Sequence, residues 1–298
     1  MKTRLVLGTG FLFLGNNILQ LMMNPVYLFE AGGTKTTLLV YENGKTEEIV
    51  LPACNPNRST EAFELLLRAT IKIPSNAKVY FYGAGMGSEG NRALIHNVFM
   101  DMFEVEIEIN TDILGAARAA FGDEEGFLAI MGTGGVGAYY DGTEIAIRRG
   151  GYGYLIDDYG GGLELGKILI SAWLNDSFSE ELNRDIEAYL HISKSRFIGD
   201  FYESKDLPKV SGLVRVLDRH QNNMEIIQIL DDYFTEFFNR HVTALNREKE
   251  VEAITIIGGI GFNFQKVIGR VAAKFGISVL EFIDKPASRL LDYHLSVK

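Results

Sequence analysis

The sequence has very little cysteine, little proline and an excess of negative charge. Its 298 residues include one cysteine and six prolines, and the formal charge at pH 7 is -10. A single cysteine excludes an internal disulfide framework and a zinc site built from several cysteines. A nucleic-acid or anionic-membrane surface needs a basic stripe, which this acidic composition lacks. We therefore expect a cytoplasmic protein with no nucleic-acid partner and no membrane partner.

Length and apolar content set the size of the core. A chain of 298 residues, 47% of them hydrophobic, is expected to form roughly two lobes. Residues 1–23 combine Lys2 and Arg4 with an apolar run that glycines interrupt, which loosely imitates a secretory signal without a cleavage site. The run is far short of the about 20 residues that span a bilayer. We expect this segment to be an extension outside the fold, with Met23 a plausible first residue.

Two stretches of the chain show the same order of elements. Residues 26–52 predict strand, Gly-Gly turn, strand, Asn-Gly hairpin and strand, and residues 127–150 repeat this order with a Gly-Thr turn and an Asp-Gly hairpin. Helices and strands alternate after the first stretch. A mainly helical region follows the second, including a long helix over 224–248, and most aromatic residues of this region are expected in the core. The repeat predicts two similar lobes, each a mixed sheet with helical cover.

The Gly-rich turns are the first candidates for chemistry. A tight turn of glycines lets backbone N–H groups approach an anion closely. In the first turn, Gly32 and Gly33 are followed by Thr34, and Thr36 adds a second hydroxyl. Glu30 precedes the turn, where a hydrated divalent cation could be held. One Gly-Gly-Thr turn is more often an ordinary hairpin, but a paired occurrence in a repeat favours a phosphate clamp.

Two other glycine patterns imitate nucleotide motifs and are rejected. "GTGGVG" at 132–137 fits G-x-G-x-x-G, but it continues as a strand, whereas the dinucleotide fingerprint opens a helix. "GGLELGK" ends at Lys167, and Ile168 then stands where a Walker A loop needs Ser or Thr. We expect an ordinary amphipathic helix there.

Asp112 is the candidate base. It follows a predicted strand and opens a helix rich in small residues, where an Asp is most commonly an N-cap. Its position at the boundary between the repeats favours a cleft instead. A carboxylate there could accept the proton of a hydroxyl that attacks a phosphoryl group.

Other polar positions are candidates for ligand contacts, each with an ordinary alternative. The amides of Asn55 and Asn57 can bind a sugar, although Asn-Pro-Asn is equally an ordinary turn. Asp157 and Asp158 could bind hydroxyls or cap the next helix. The Gly-Gly pair at 258–259 lies between a strand and a helix, which suits a ribose or a phosphate. The five histidines show no metal-ligand spacing and are interpreted as structural.

Five motifs occur together in one order: "FEAGGTKT", "NTDILGAARAA", "IMGTGG", "GGYGYLIDDYGGG" and "IIGGIG". From about Val26 to the C-terminus the chain thus resembles the N-acetylglucosamine kinase and BadF/BadG/BcrA/BcrD ATPase group of the sugar kinase, Hsp70 and actin superfamily. The resemblance implies an α/β fold of two ribonuclease H-like lobes with mixed sheets, whose cleft closes over ATP and Mg²⁺. The lobes would span 24–112, joined by a C-terminal helix at 286–298, and 113–285 with a helical insertion.

The resemblance also implies roles for individual residues. Glu30 would orient the metal, and Asp112 would be the catalytic aspartate. The nucleotide contacts would be Gly32, Gly33, Thr34, Lys35, Gly132, Thr133, Gly134, Gly258 and Gly259. The sugar contacts would be Asn55, Gly151 and Asp158, to which the pair of asparagines adds Asn57.

The chain departs from the family pattern at three places. Glu30-Ala31 stands where many relatives begin with Asp-Gly, and Gly135 stands where relatives have a serine. In "DDYGGG", Tyr159 replaces a glutamate, which could alter the choice of substrate.

The leading hypothesis is an ATP-dependent kinase for a hydroxyl of an amino sugar, with the 6-hydroxyl of N-acetylglucosamine as the first candidate. One alternative is the ATPase branch of the same group, which needs cysteines to bridge a cluster between subunits, whereas Cys54 lies on the proposed sugar loop. The other is a sugar or nucleotide sensor that has lost turnover, suggested by Gly135 and Tyr159. The partner is a small-molecule sugar, and a homodimer follows by family analogy only.

Overall fold

The computed structural model describes residues 24–217, 219–220 and 222–296. The predicted extension at 1–23 lies outside the described residues. Among the described residues, no helix has both the length and the apolar character required to cross a membrane. Contacts divide the chain into two units.

Of the described residues, the first unit contains 24–31 and Lys35–Asp112. Its five strands form one sheet in the order β3-β2-β1-β4-β5. The strands β1, β2 and β3 are antiparallel neighbours, whereas β1, β4 and β5 run parallel. The elements are β1 Val26–Ala31, β2 Lys35–Glu42, β3 Lys45–Pro52, α1 Glu61–Thr70, β4 Lys78–Gly83, α2 Glu89–Phe103, β5 Ile107–Thr111 and the start of α3 Asp112–Phe121.

The core of the first unit is a cluster of phenylalanines. Phe29, Phe63, Phe81 and Phe99 are fully buried, and the rings of Phe29 and Phe99 meet edge to face at 5.1 Å. Every second residue of β1, Tyr27, Phe29 and Ala31, belongs to this cluster, which therefore lies on one face of the sheet. The register of β1 and β2 puts Glu30 opposite Thr37, one position out of phase with Phe29, so the carboxylate lies on the other face.

The second unit contains Gly32–Thr34 and Ile113–Lys298. Its sheet has the order β10-β9-β6-β7-β8. The strands are β6 Gly126–Met131, β7 Gly135–Tyr140, β8 Ile145–Gly150, β9 Ala253–Ile257 and β10 Ser278–Ile283. The helices are α4 Gly162–Leu174, α5 Glu180–Leu190, α6 Lys194–Ser204, α7 Leu207–Gly212, α8 Val214–Leu217, α9 Met224–Phe237, α10 Thr243–Asn246, α11 Gly259–Asn263, α12 Gln265–Lys274 and α13 Ala287–Ser296.

The two sheets confirm the predicted duplication. Each contains three consecutive antiparallel strands followed by two strands that pair in parallel beside the first of the three. The strand β7 occupies 135–140, which confirms that "GTGGVG" does not open a helix. Helix α4 confirms the helical interpretation of "GGLELGK". At the first hairpin, Asn43 and Gly44 have φ values of 52° and 76°, as the predicted type I′ turn requires.

The structure differs from the sequence-based expectations in the helical region. The long helix expected from Met224 is interrupted by a π-helical turn at Phe238–Val242. Such turns are rare and occur mostly as single turns inside α-helices, so the apolar pattern gives little basis for predicting one. By its contacts the last helix groups with the second unit, whereas the resemblance implies that 286–298 joins the first lobe. In that unit, the guanidinium of Arg118 lies 5.4 Å from the ring centroid of Tyr293.

Candidate functional site

The candidate residues of each unit lie where parallel strands end. In the first unit, Glu30 is near the end of β1 and Asp112 directly follows β5. In the second unit, Gly132 follows β6 and Gly258 follows β9, and these two strands are parallel neighbours. The carboxyl ends of parallel strands form the usual binding edge of an α/β sheet. Each unit therefore presents its candidates at such an edge.

Glu30 and Asp112 form an electrostatically coupled pair in the first unit. The pKa of Glu30 is raised from 4.5 to about 7, first by burial and then by the negative charge of Asp112, while Lys35 acts in the opposite direction. Two carboxylates held together in this way repel each other unless a proton or a cation intervenes. The pair is thus suited to binding a divalent cation.

No group of three or more His, Cys, Asp or Glu side chains in the described part of the chain is arranged to hold a metal. Mg²⁺ usually takes only one or two protein carboxylates and completes its shell with water and phosphate oxygens. Glu30, with Asp112 beside it, fits that pattern.

The turn at Gly32–Thr34 groups with the second unit by its contacts. A Cβ atom added to Gly33 would lie 2.9 Å from the Cβ of Thr133, too close for any other residue without a shift. Thr34 is exposed, as is Lys35. Thr36 is fully buried opposite Ala31, on the core face of the sheet, so the expectation that its hydroxyl adds to the phosphate clamp is wrong.

The turn at 132–134 is held by the first residues of α4. The N–H of Gly162 donates to the carbonyl of Gly132 at 2.8 Å, and the N–H of Leu163 donates to the carbonyl of Thr133 at 3.0 Å. The carbonyl side of the turn therefore faces the helix. Because the first N–H groups of α4 donate to this turn, the N-terminus of α4 is not the anion site.

The glycine pair at 258–259 lies directly beside that turn. Gly258 has a φ of +107°, and a Cβ there would lie 2.7 Å from the carbonyl oxygen of Met131 and 3.3 Å from the nitrogen of Gly132. Both its conformation and its surroundings require glycine. Gly259 opens α11. The second unit thus brings these two glycine turns together.

The pair Asn55 and Asn57 belongs to a cluster of amides in the first unit. The Oδ1 of Asn55 accepts from the N–H of Asn57 at 3.0 Å. The Nδ2 of Asn91 donates to the Oδ1 of Asn57 at 2.8 Å and to the carbonyl of Gly85 at 2.7 Å. The amide oxygens of Asn55 and Asn57 therefore each accept one hydrogen bond inside the protein. The remaining hydrogen-bonding capacity of the two amides is left for a ligand.

Gly85 gives this cluster a direct test. It has a φ of +87°, and an added Cβ would lie 2.6 Å from the Oδ1 of Asn55. We expect Gly85→Ala to destabilise the protein by about 2 kcal/mol, because it combines backbone strain with a clash. Urea unfolding measures this. The control is Gly87→Ala, since Gly87 has no positive φ and open space around it. Equal stabilities of the two variants would contradict the arrangement.

Asp158 and Gly151 lie in the loop after β8. The carboxyl carbon of Asp158 would be 2.7 Å from a Cβ on Gly134, so this side chain covers the glycine turn. Its Oδ1 accepts from the N–H of Gly153 at 3.3 Å. Gly151 has a φ of +67° and lies against Val136. The N-cap of α4 is Gly161, so the alternative that Asp157 or Asp158 caps this helix is wrong.

Solved structures match the chain over nearly its whole length. A Porphyromonas gingivalis protein assigned provisionally as an N-acetylglucosamine kinase is 26% identical, with a TM-score of 0.77, and the match covers 91% of this chain and 98% of that one. A Chromobacterium violaceum protein of the same provisional assignment is 16% identical, with a TM-score of 0.65 over 91% and 99% of the chains. The fold is that of the actin-like sugar kinases.

A third structure with the actin-like sugar kinase fold is a ROK family glucokinase from Streptomyces griseus in complex with glucose and AMPPNP. It is 12% identical, with a TM-score of 0.60, and the match covers 90% of this chain and 98% of that one. No protein-family model matches the chain. No curated protein matches it either.

The departures at 135 and 159 are connected in this version of the sugar kinase fold. A Cβ on Gly135 would lie 2.0 Å from the carbonyl oxygen of Tyr159. A serine at 135 is therefore incompatible with the observed path of the loop. The backbone of Tyr159 occupies the space that a side chain at 135 would need, so the two departures are parts of one local arrangement.

Cys54 is buried in the core of the first unit. Its side chain is fully inaccessible, and burial raises the pKa of the thiol to about 12, with a smaller effect from Glu64. A buried protonated thiol is a poor metal ligand. This position therefore gives no support to a cluster-bridging role.

Three residues that contact the candidates or their chain neighbours were not identified from the sequence: Tyr233, Asn91 and His241. Tyr233 and His241 lie in the amphipathic stretch from Met224, where apolar periodicity assigned the aromatic residues to the core. His241 is 2% exposed, with its Nε2 3.6 Å from the Oδ1 of Asp157, and burial lowers the pKa of the imidazole. The sequence pattern around Asn91 indicates only that this residue lies in a helix. Only tertiary structure reveals these contacts.

Proposed function

We propose that the protein is an ATP-dependent carbohydrate kinase that transfers the γ-phosphate to a hydroxyl of an amino sugar, with the 6-hydroxyl of N-acetylglucosamine as the leading acceptor. The observation that carries the proposal is the coupled pair of Glu30 and Asp112 at the strand ends of a sugar kinase fold. The names of two structures with this fold support the choice of acceptor.

Asp112 is the general base in this proposal. Its carboxylate accepts the proton of the sugar hydroxyl as the hydroxyl oxygen forms a bond to the γ-phosphorus and the bond to the bridging oxygen of ADP breaks. Glu30 would hold the cation. When bound, ATP supplies the phosphoryl group and Mg²⁺ neutralises part of its charge. Because burial and Asp112 destabilise the Glu30 carboxylate, this side chain would gain from a cation beside it.

The nucleotide contacts assigned in this proposal are backbone groups of the glycine turns. The β- and γ-phosphates are assigned to Gly32, Gly33, Thr34 and Lys35 and to Gly132, Thr133 and Gly134; the adenosine is assigned to Gly258 and Gly259. The close packing of Gly33 and Gly258 supports these positions as sites where only glycine fits. The sugar is assigned to Asn55, Asn57, Gly151 and Asp158. A cytoplasmic location and a homodimer belong to the same proposal.

The test is an assay of ADP release across a panel of sugars with ATP and Mg²⁺. We expect turnover with N-acetylglucosamine and little or none with glucose, since an amide-rich site favours an acetamido group. Sugar-independent ADP release would support the ATPase alternative. Sugar binding by calorimetry without ADP release would support a sensor. Either result would overturn the kinase proposal.

A further inference from the structure

The hydroxyl of Tyr233 holds the segment that follows Asp158. Tyr233 lies in α9, and its side chain is 1% exposed. The hydroxyl accepts from the N–H of Gly160 at 2.8 Å and donates to the carbonyl of Gly161 at 2.7 Å. One side chain thus satisfies two backbone groups 72 and 73 residues earlier in the chain. Buried backbone groups of this kind require such partners.

The segment held by Tyr233 packs closely against the glycine turn at 132–134 and against β7. A Cβ on Gly161 would lie 2.3 Å from the Cα of Gly134, and the carbonyl of Tyr159 fills the space beside Gly135. The hydrogen bonds from the start of α4 to the turn carbonyls continue the same contact. Because no side chain separates these backbones, a shift of the segment moves the turn.

Aromatic contacts support the same segment without the hydroxyl. The rings of Tyr159 and Tyr233 are 4.6 Å apart, and the guanidinium of Arg240 lies 4.7 Å from the ring centroid of Tyr159. These contacts would survive in Tyr233→Phe. The two hydrogen bonds of the hydroxyl can therefore be removed while the ring packing is kept.

We propose that Tyr233 is a positioning residue for the turn at 132–134 and for Asp158, which it fixes through the backbone at Gly160 and Gly161. What the turn and the carboxylate bind rests on the proposed function. The positioning itself rests on the hydrogen bonds and the close backbone packing. The glycine at 135, the tyrosine at 159 and Tyr233 then form one arrangement that replaces the serine and glutamate of the family pattern.

The test compares Tyr233→Phe with Tyr140→Phe. Tyr140 is a matched control, because it is fully buried in the same unit and its hydroxyl donates to the carbonyls of Gly122 at 3.0 Å and Gly142 at 2.8 Å, away from the turn. For sugar phosphorylation we expect Tyr233→Phe to lower kcat about 10-fold with little change in the KM values, since misplaced groups raise the barrier. Tyr140→Phe should leave kcat within about twofold.

Hydrogen exchange supplies a readout that needs no turnover. We expect the amides at 132–135 and 160–163 to exchange faster in Tyr233→Phe and to be unchanged in Tyr140→Phe. If no sugar is phosphorylated but exchange changes as expected, the kinase proposal fails and the positioning role stands. Unchanged exchange in Tyr233→Phe, or an equal loss of kcat in both variants, would overturn the positioning role.

Discussion

Replacing Asp112 by asparagine lowers the kcat for sugar phosphorylation by about 10³-fold, if Asp112 is the base that accepts the hydroxyl proton. General-base catalysis contributes typically about 10² to 10⁴ in rate, and an amide cannot take the proton. The change also removes the negative charge that acts on Glu30, but it keeps the local shape, because asparagine is nearly the same size and is well tolerated at a helix start. The KM for ATP is expected to change less than about threefold, since the nucleotide contacts are assigned to other residues.

A helix-start aspartate without a proposed chemical role is the control for this variant. Asp206 is the N-cap of α7, and its Oδ1 accepts from the N–H of Lys209 at 3.0 Å. We expect Asp206→Asn to leave kcat unchanged. If Asp112→Asn and Asp206→Asn behave alike, Asp112 is only the first residue of a helix and the base lies elsewhere. Steady-state rates of ADP release decide between these results.

The fold could be predicted from the sequence because the two patterns that indicate it, apolar alternation and turn dipeptides, are both local. Alternating apolar residues and turn dipeptides define the strands and hairpins of each sheet, and their repetition predicts two units of the same topology. The strand-end positions of Glu30 and Asp112 follow from the same pattern. Their coupling could not be read from it, because the approach of two carboxylates from β1 and β5 depends on β4 lying between those strands.

The parts of the site that sequence reasoning missed are long-range. Tyr233 contacts Gly160 and Gly161 through its hydroxyl alone, and the rest of its ring packs in the core. Apolar periodicity indicates that a helix face is buried. It does not indicate the direction of a single polar atom at the edge of that face. Asn91 is similar, since its amide reaches Asn57 from 34 residues away. Such contacts need the tertiary structure.

Glu30→Gln is expected to stabilise the protein in the absence of metal while impairing catalysis. The folded pKa of Glu30 is about 7, above the unfolded value of 4.5, so folding favours the protonated carboxyl. Its contribution to stability is fully present below pH 4.5 and is lost as the pH rises to about 7. At pH 8 the buried charge costs up to about 3 kcal/mol, which glutamine removes.

The variant should also need at least about 10-fold more Mg²⁺ for half-maximal activity.

Unfolding by urea at pH 5 and pH 8, without metal, separates titration from packing. The gain in unfolding free energy should be largest at pH 8 and small at pH 5, because at pH 5 the folded wild-type carboxyl is already protonated. Glu48→Gln is the control, since Glu48 is an exposed residue of β3 and should change stability by less than about 0.5 kcal/mol at either pH. An equal gain at both pH values would mean that glutamine improves packing and that neither burial nor the charge of Asp112 raises the pKa of the Glu30 carboxyl. In that case a cation would have no destabilised carboxylate to neutralise, and the assignment of Glu30 to the metal would lose its physical basis.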